Sequence, residues 1–231
     1  MNETGEVNYA AAQKDPSLLN AYLDKIKQIP FIEIKSWPRE ERIALWVNVF
    51  NAGVVHLILK HYPTKTVMRI SGFWEDQMVR VGRSNIFSLG QIENDILRRG
   101  FRDEKILFGL AKGAKDSPRL RAEAYTGPEA EGQLYLATRE FVNDETRNRI
   151  DPVKKKVILS RLFKWHSQDF LINWSDFPEE PGFDAPEMSV LSFFAHYLQD
   201  PQKVEFLKEG DYKVKYASFN WDLNDGSKTS A

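Results

Sequence analysis

At 231 residues the chain sets 32 Lys plus Arg against 33 Asp plus Glu, a net charge of −1, so no global field draws it to nucleic acid or an anionic membrane. The lack of cysteine excludes thiol nucleophiles, thiolate zinc sites and disulfides together. Aromatic residues at 13%, in a chain long enough to bury roughly 70% of its unfolded surface, point to a packed globular protein and away from disorder.

Asp15 as N-cap and Pro16 at the first position open a helix with Leu18, Leu19, Tyr22, Leu23 and Ile26 at helical spacing, and Pro30 ends it. Ser36-Trp37-Pro38, followed by Glu40 and Glu41, opens the next. From Arg42 to Tyr62 the apolar residues cover every side of the wheel, so this helix must be enclosed by other elements; Pro63 stops it. Met78 to Val81, a turn through Gly82 and Ser84-Asn85, and Ile86-Phe87 read as a hairpin. Ser88 with Gln91 makes a capping box for a helix from Ser88 to Arg99, ended near Gly100.

Ile106 to Leu110 is compact and apolar and reads as a strand, with Ala111 to Pro118 as the loop after it. Pro128 to Val142 is a helix with Leu134, Leu136, Ala137 and Phe141 inward. Lys154 to Leu159 is a strand, and Ser160 to Phe170 gives one or two helical turns. Asn173 to Pro186, rich in Pro and acids, reads as a surface loop before a helix at Val190 to Leu198. Strand-like alternation at Tyr212 to Tyr216 and Phe219 to Leu223 closes the chain, with a frayed tail from Asp225.

The expected fold class is α+β: a single helix-rich domain over 1–231, its buried central helix packed against a small, mainly antiparallel sheet, with flexible ends at 1–6 and 225–231. No apolar run free of charges approaches the roughly 18 to 20 residues of a membrane span, and Met1 to Ala12 lacks an apolar leader core. The expectation is a soluble protein, extracytoplasmic if a leader was removed and cytoplasmic otherwise.

Within the apolar central helix sit Asn48, Asn51 and His56, none of which can be buried without partners. Asn48 and Asn51 share a face three residues apart, so their amides hold a packed segment or line a pocket. His61, His166 and His196 follow no metal-ligand spacing, no GxSxG elbow marks a nucleophilic serine, and the phosphate-loop pattern is absent. Lys112 and Lys115 flank Gly113 and are suited to an anion, but solvated lysines are the simpler reading.

Several segments in order resemble the domain-of-unknown-function 547 family: Val7-Asn8-Tyr9-Ala10, then Ala44 to Ala52 (ALWVNVFNA), Ser88 to Glu93, Ile106 to Leu120, Glu123 to Thr126, and Phe219 to Asn224 (FNWDLN). The family-like region covers 7–224. This chain departs from the family where reactive side chains stand: Asn94 and Leu107 replace histidines, and Lys112 and Ser117 replace cysteines. The resemblance therefore implies a cleft framework without the nucleophile or base of a thiol-based site, lined by Trp46, Asn48, Asn51, Glu93, Asn94, Lys112, Lys115 and Ser117. No catalytic residue, metal or cofactor is expected, and the partner is a small ligand or a protein. The implied function is a non-catalytic binding domain. The alternative is a hydrolase or transferase using Glu93 as general base with Lys112 or Lys115 stabilising charge.

Overall fold

The computed structural model describes residues 2, 5–174 and 183–228. The chain divides into two compact units, Met1–Tyr135 with Asn220–Ala231, and Leu136–Phe219. Helices dominate both, and the sheets are small, as an α+β chain requires.

The first unit is built around α4, Arg39–His61. By length and composition α4 could cross a membrane, but 72% of its apolar window is buried inside the protein, which makes it a core helix. Val47, Val49, Phe50 and Ile58 are fully enclosed. Three shorter helices accompany it: α1 (Tyr9–Lys14), α2 (Ser17–Gln28) and α3 (Phe31–Ser36). Helix α2 starts one residue later than expected, with Pro16 and not Asp15 at the N-cap position, although the Asp15 carboxylate still accepts from the Ser17 amide at 3.1 Å. Neither α1, capped by Asn8, nor α3 was expected from the sequence.

The hairpin is present as β1 (Val79–Val81) and β2 (Asn85–Phe87), paired antiparallel with Arg80 opposite Ile86. It lies directly on α4: a Cβ added at Gly53 would sit 3.0 Å from both Val79 and Leu89 side chains. Trp46 of α4 meets the Phe87 ring edge-on at 5.4 Å and Phe31 at 6.3 Å.

The capping box forms as expected. Ser88 Oγ accepts from the Gln91 amide at 3.0 Å and Gln91 Oε1 from the Ser88 amide at 2.9 Å. After α5 (Leu89–Gln91), Ile92–Arg98 widens into a π-helix before α6 (Arg99–Phe101). The segment expected as a strand is instead the helical turn α7, Ile106–Gly109. Asp103 starts this turn, its carboxylate accepting from the Lys105 amide at 3.1 Å, and a short buried apolar run fits either geometry.

Helix α8, Ala130–Val142, contains the boundary between the units. Leu134, Ala137 and Phe141 are buried as expected, whereas Leu136 is 54% exposed. In the second unit β3 (Arg149–Asp151) pairs antiparallel with β4 (Lys156–Leu159), and β4 pairs parallel with β5 (Lys213–Tyr216). Two of the three strand pairings among the described residues are thus antiparallel. Helices α9 (Arg161–Trp165), α10 (Ala185–Tyr197) and α11 (Pro201–Glu209) complete the unit around Phe141, Phe163, Phe170, Phe193 and Phe194. The expected loop Asn173 to Pro186 lies partly outside the described residues, and its end already belongs to α10, which Asp184 caps.

Phe219 to Leu223 does not form a full strand. Asp222 bridges to Thr66 and Leu223 to Ala114, both in the first unit. Nor does the chain fray at Asp225, which bridges to Val7 and accepts from the Tyr62 hydroxyl at 2.9 Å. At the other end, the Glu6 amide donates to Asn2 at 2.9 Å.

Candidate functional site

The wide pitch after α5 aligns Ile92, Glu93 and Leu97 on the buried face. Such π segments are rare and recur at functional positions. Opposite, the loop after α7 is pressed onto α4 at Gly113, whose φ of +72° and closeness to Ile58, 2.6 Å from a built Cβ, exclude any side chain. This close approach brings Lys112 inside.

Lys112 Nζ stands 2.5 Å from both carboxylate oxygens of Glu93, and the two side chains are 8% and 7% exposed. The reading of Lys112 as a solvated lysine is therefore corrected: Gly113 places it in the core. Its ammonium also lies 5.9 Å from the Phe50 ring centre and 5.6 Å from that of Trp74. Trp221, from the closing segment, meets Trp74 at 6.3 Å. A charge moved this far from water costs several kcal/mol, and only its partner makes it tolerable.

The remaining expected residues divide by what their polar atoms bind. Asn51 donates to the Gly109 carbonyl and accepts from the Ala111 amide, both at 2.9 Å, so it ties α7 and the Lys112 loop to α4. Asn48 donates to the Tyr125 carbonyl at 2.8 Å and accepts from the Tyr125 amide at 2.9 Å. The Asn48 anchor is therefore the 123–126 segment. Ser117 donates to the Ala114 and Pro118 carbonyls, and Asn94 accepts from Arg98 one turn on.

Trp46 is spent on Phe31 and Phe87 packing. Lys115 is exposed and does not join Lys112, although its amide donates to the Asp222 carbonyl at 2.9 Å. Of the expected set, the side chains brought together are thus Glu93 and Lys112. His56 is half-buried, and burial, with the charges of Lys60 and Lys27, lowers its pKa. Among the described residues no three His, Asp or Glu side chains are placed to share a metal ion.

The sequence reading missed Phe50 and Trp74 as neighbours of the ion pair, and Trp221 as a neighbour of Trp74. Phe50 carried no signal beyond the apolar run. Trp221 stood in the FNWDLN segment, whose role as the strap over this loop depends on contacts more than a hundred residues away in sequence.

Chemically, a carboxylate held through both oxygens by one ammonium is a poor general base, because a proton transfer would strand a charge in a low-dielectric site. Comparison with curated proteins and with solved structures finds no match. A family model does match, over residues 34–142. That stretch contains the Trp46 to Ala52 helix, the capping box, Glu93, Lys112, Ser117 and Tyr125, and leaves out the segments at 7–10 and 219–224. Over that stretch, a little under half of the chain, the sequence is similar to the family described as protein of unknown function, DUF547.

Proposed function

We propose that this protein is a non-catalytic binding domain, recognising a small ligand or a protein partner at the face where Trp74 lies beside Lys112 of the Glu93–Lys112 pair and Trp221 packs against Trp74. The observation that carries this reading is the pair itself: Lys112 meets both oxygens of the buried Glu93 carboxylate. It stands, moreover, where the resemblance places a cysteine. Asn48, Asn51 and Ser117 serve as frame in this reading, since their polar atoms bind backbone, and the half-buried Trp74 and Trp221 supply the apolar contact surface.

A thermal-unfolding screen of nucleotides, sugars, peptides, lipids and candidate proteins tests it. A true ligand at a hundredfold excess over its dissociation constant stabilises by about 2.7 kcal/mol, and Trp74→Ala removes the effect. No shift with any class counts against the reading. Turnover of an ester, amide or phosphoester substrate that Glu93→Gln abolishes would establish the alternative instead, a hydrolase or transferase with Glu93 as base. The convergence of Glu93 and Lys112 favours that second reading, and their mutual neutralisation and burial weigh against it. We further propose that both units fold as one domain, with one urea transition for fluorescence and helicity alike; two separated transitions would refute this.

A further inference from the structure

The second unit encloses a cavity of about 250 Å³ between the end of α8, strand β3, the end of α10 and the start of α11. We propose that it is a binding site for a small aliphatic molecule bearing a primary ammonium group. Pockets for drug-sized ligands run from about 300 to 1,000 Å³, so this one suits a smaller occupant. Its apolar lining residues are Val142, Ile150, Phe194 and Leu198.

The walls are rigid because their amides are already committed. Asn143 Nδ2 donates to the Arg139 and Tyr197 carbonyls at 2.7 and 2.9 Å, and its Oδ1 accepts from the Gln199 amide at 2.8 Å. Asn148, 4% exposed, bonds the Phe141 carbonyl at 2.7 Å and the Ser160 amide at 2.9 Å. Ordering a ligand here requires little reorganisation of the wall.

The mouth is different. Lys203 Nζ stands between two carboxylates, 2.7 Å from Glu145 and 4.0 Å from Asp200, so the lining carries one negative charge in excess. Arg139 is outside the lining and exposed; in the orientation its neighbours favour, the Gln199 side-chain oxygen accepts from Arg139 at 2.8 and 3.2 Å. Glu145 is 74% exposed, and a pair so open to solvent is weakly held. Glu145 is therefore free to leave Lys203 for a ligand ammonium, while Lys203 closes on Asp200, which the Gln202 amide holds in place as the cap of α11 at 2.9 Å. A ligand carrying a carboxylate as well would find Lys203 available, so an amino acid and a plain amine share the ammonium chemistry and differ in this second contact.

The test is an amide-shift titration of the full chain with L-leucine and with 3-methylbutylamine. The expected result is shifts at Asn143, Gln199 and Lys203, weakened about tenfold or more by Glu145→Gln, which removes a charge-assisted contact. Tighter binding of leucine that Lys203→Met abolishes identifies the zwitterion; equal binding of both compounds, insensitive to Lys203→Met, identifies the amine. Absence of shifts at millimolar concentration, or binding unchanged in Glu145→Gln, overturns the proposal. Glu145 is exposed, so an unchanged urea midpoint certifies that variant as folded. Every residue involved lies in the second unit, and failure here leaves the Glu93–Lys112 reading untouched.

Discussion

Two of the lysine–glutamate pairs, one in each unit, are of similar length and differ in role. In the first unit Lys112 holds both oxygens of Glu93 at 2.5 Å, with the side chains 8% and 7% exposed. In the second, Lys203 meets one oxygen of Glu145 at 2.7 Å, with exposures of 25% and 74%. Contact distance does not separate them, but the surrounding dielectric does. Water hardly reaches the buried pair, so little competes with the contact. Water competes for every interaction of the exposed pair, and its members remain available.

The largest expected effect comes from breaking the buried pair on one side. Lys112→Ala takes the ammonium away from the buried Glu93 carboxylate, and urea unfolding should show a loss of about 3 to 5 kcal/mol, whereas Glu93→Leu with Lys112→Met should recover most of it. Next is Asn51→Leu, which orphans the Gly109 carbonyl and the Ala111 amide in the core; about 2 to 4 kcal/mol is expected. Asn48→Leu acts on a part-buried pair of bonds to Tyr125, so a smaller loss of about 1 to 2 kcal/mol should precede any change in binding. Glu145→Ala should change stability by less than about 1 kcal/mol.

The smallest effect concerns pH. Glu187 has its pKa raised, chiefly by burial and further by Asp184, against the lowering effects of the Tyr216 hydroxyl and Lys164. A carboxyl whose folded pKa is raised favours folding most when protonated, and that contribution is lost as pH rises through its folded value. Glu187→Gln should therefore flatten a slight fall in stability between about pH 4 and 7. An unchanged slope would show that another group sets it.

The local chemistry of this chain was readable where a side chain acts on its own backbone neighbourhood. Asp15, the Ser88–Gln91 box, the Gly82 turn and the all-round apolar pattern of α4 each encode their element directly. Asp200-Pro201 was an equally plain start signal for α11 that went unused. What could not be read was nonlocal. Ile106 to Gly109 is buried on all sides, and such a run has no periodicity to distinguish turn from strand.

The site followed the same division. That Asn48 and Asn51 need partners was legible from their type and place; which backbone groups answer them was not. Lys112 looked solvated because a lysine beside a glycine usually is. Its burial follows from Gly113 touching Ile58, a contact between residues 55 positions apart. The π segment that aligns Glu93 has no propensity signature at all.

The comparison between the two pairs is tested most directly by double-mutant cycles run on both. Stabilities are measured for Glu93→Leu, Lys112→Met and their combination, and likewise for Glu145→Gln, Lys203→Met and theirs. The account predicts a coupling energy above about 2 kcal/mol for the buried pair and below about 1 kcal/mol for the exposed one. Equal coupling energies would contradict it.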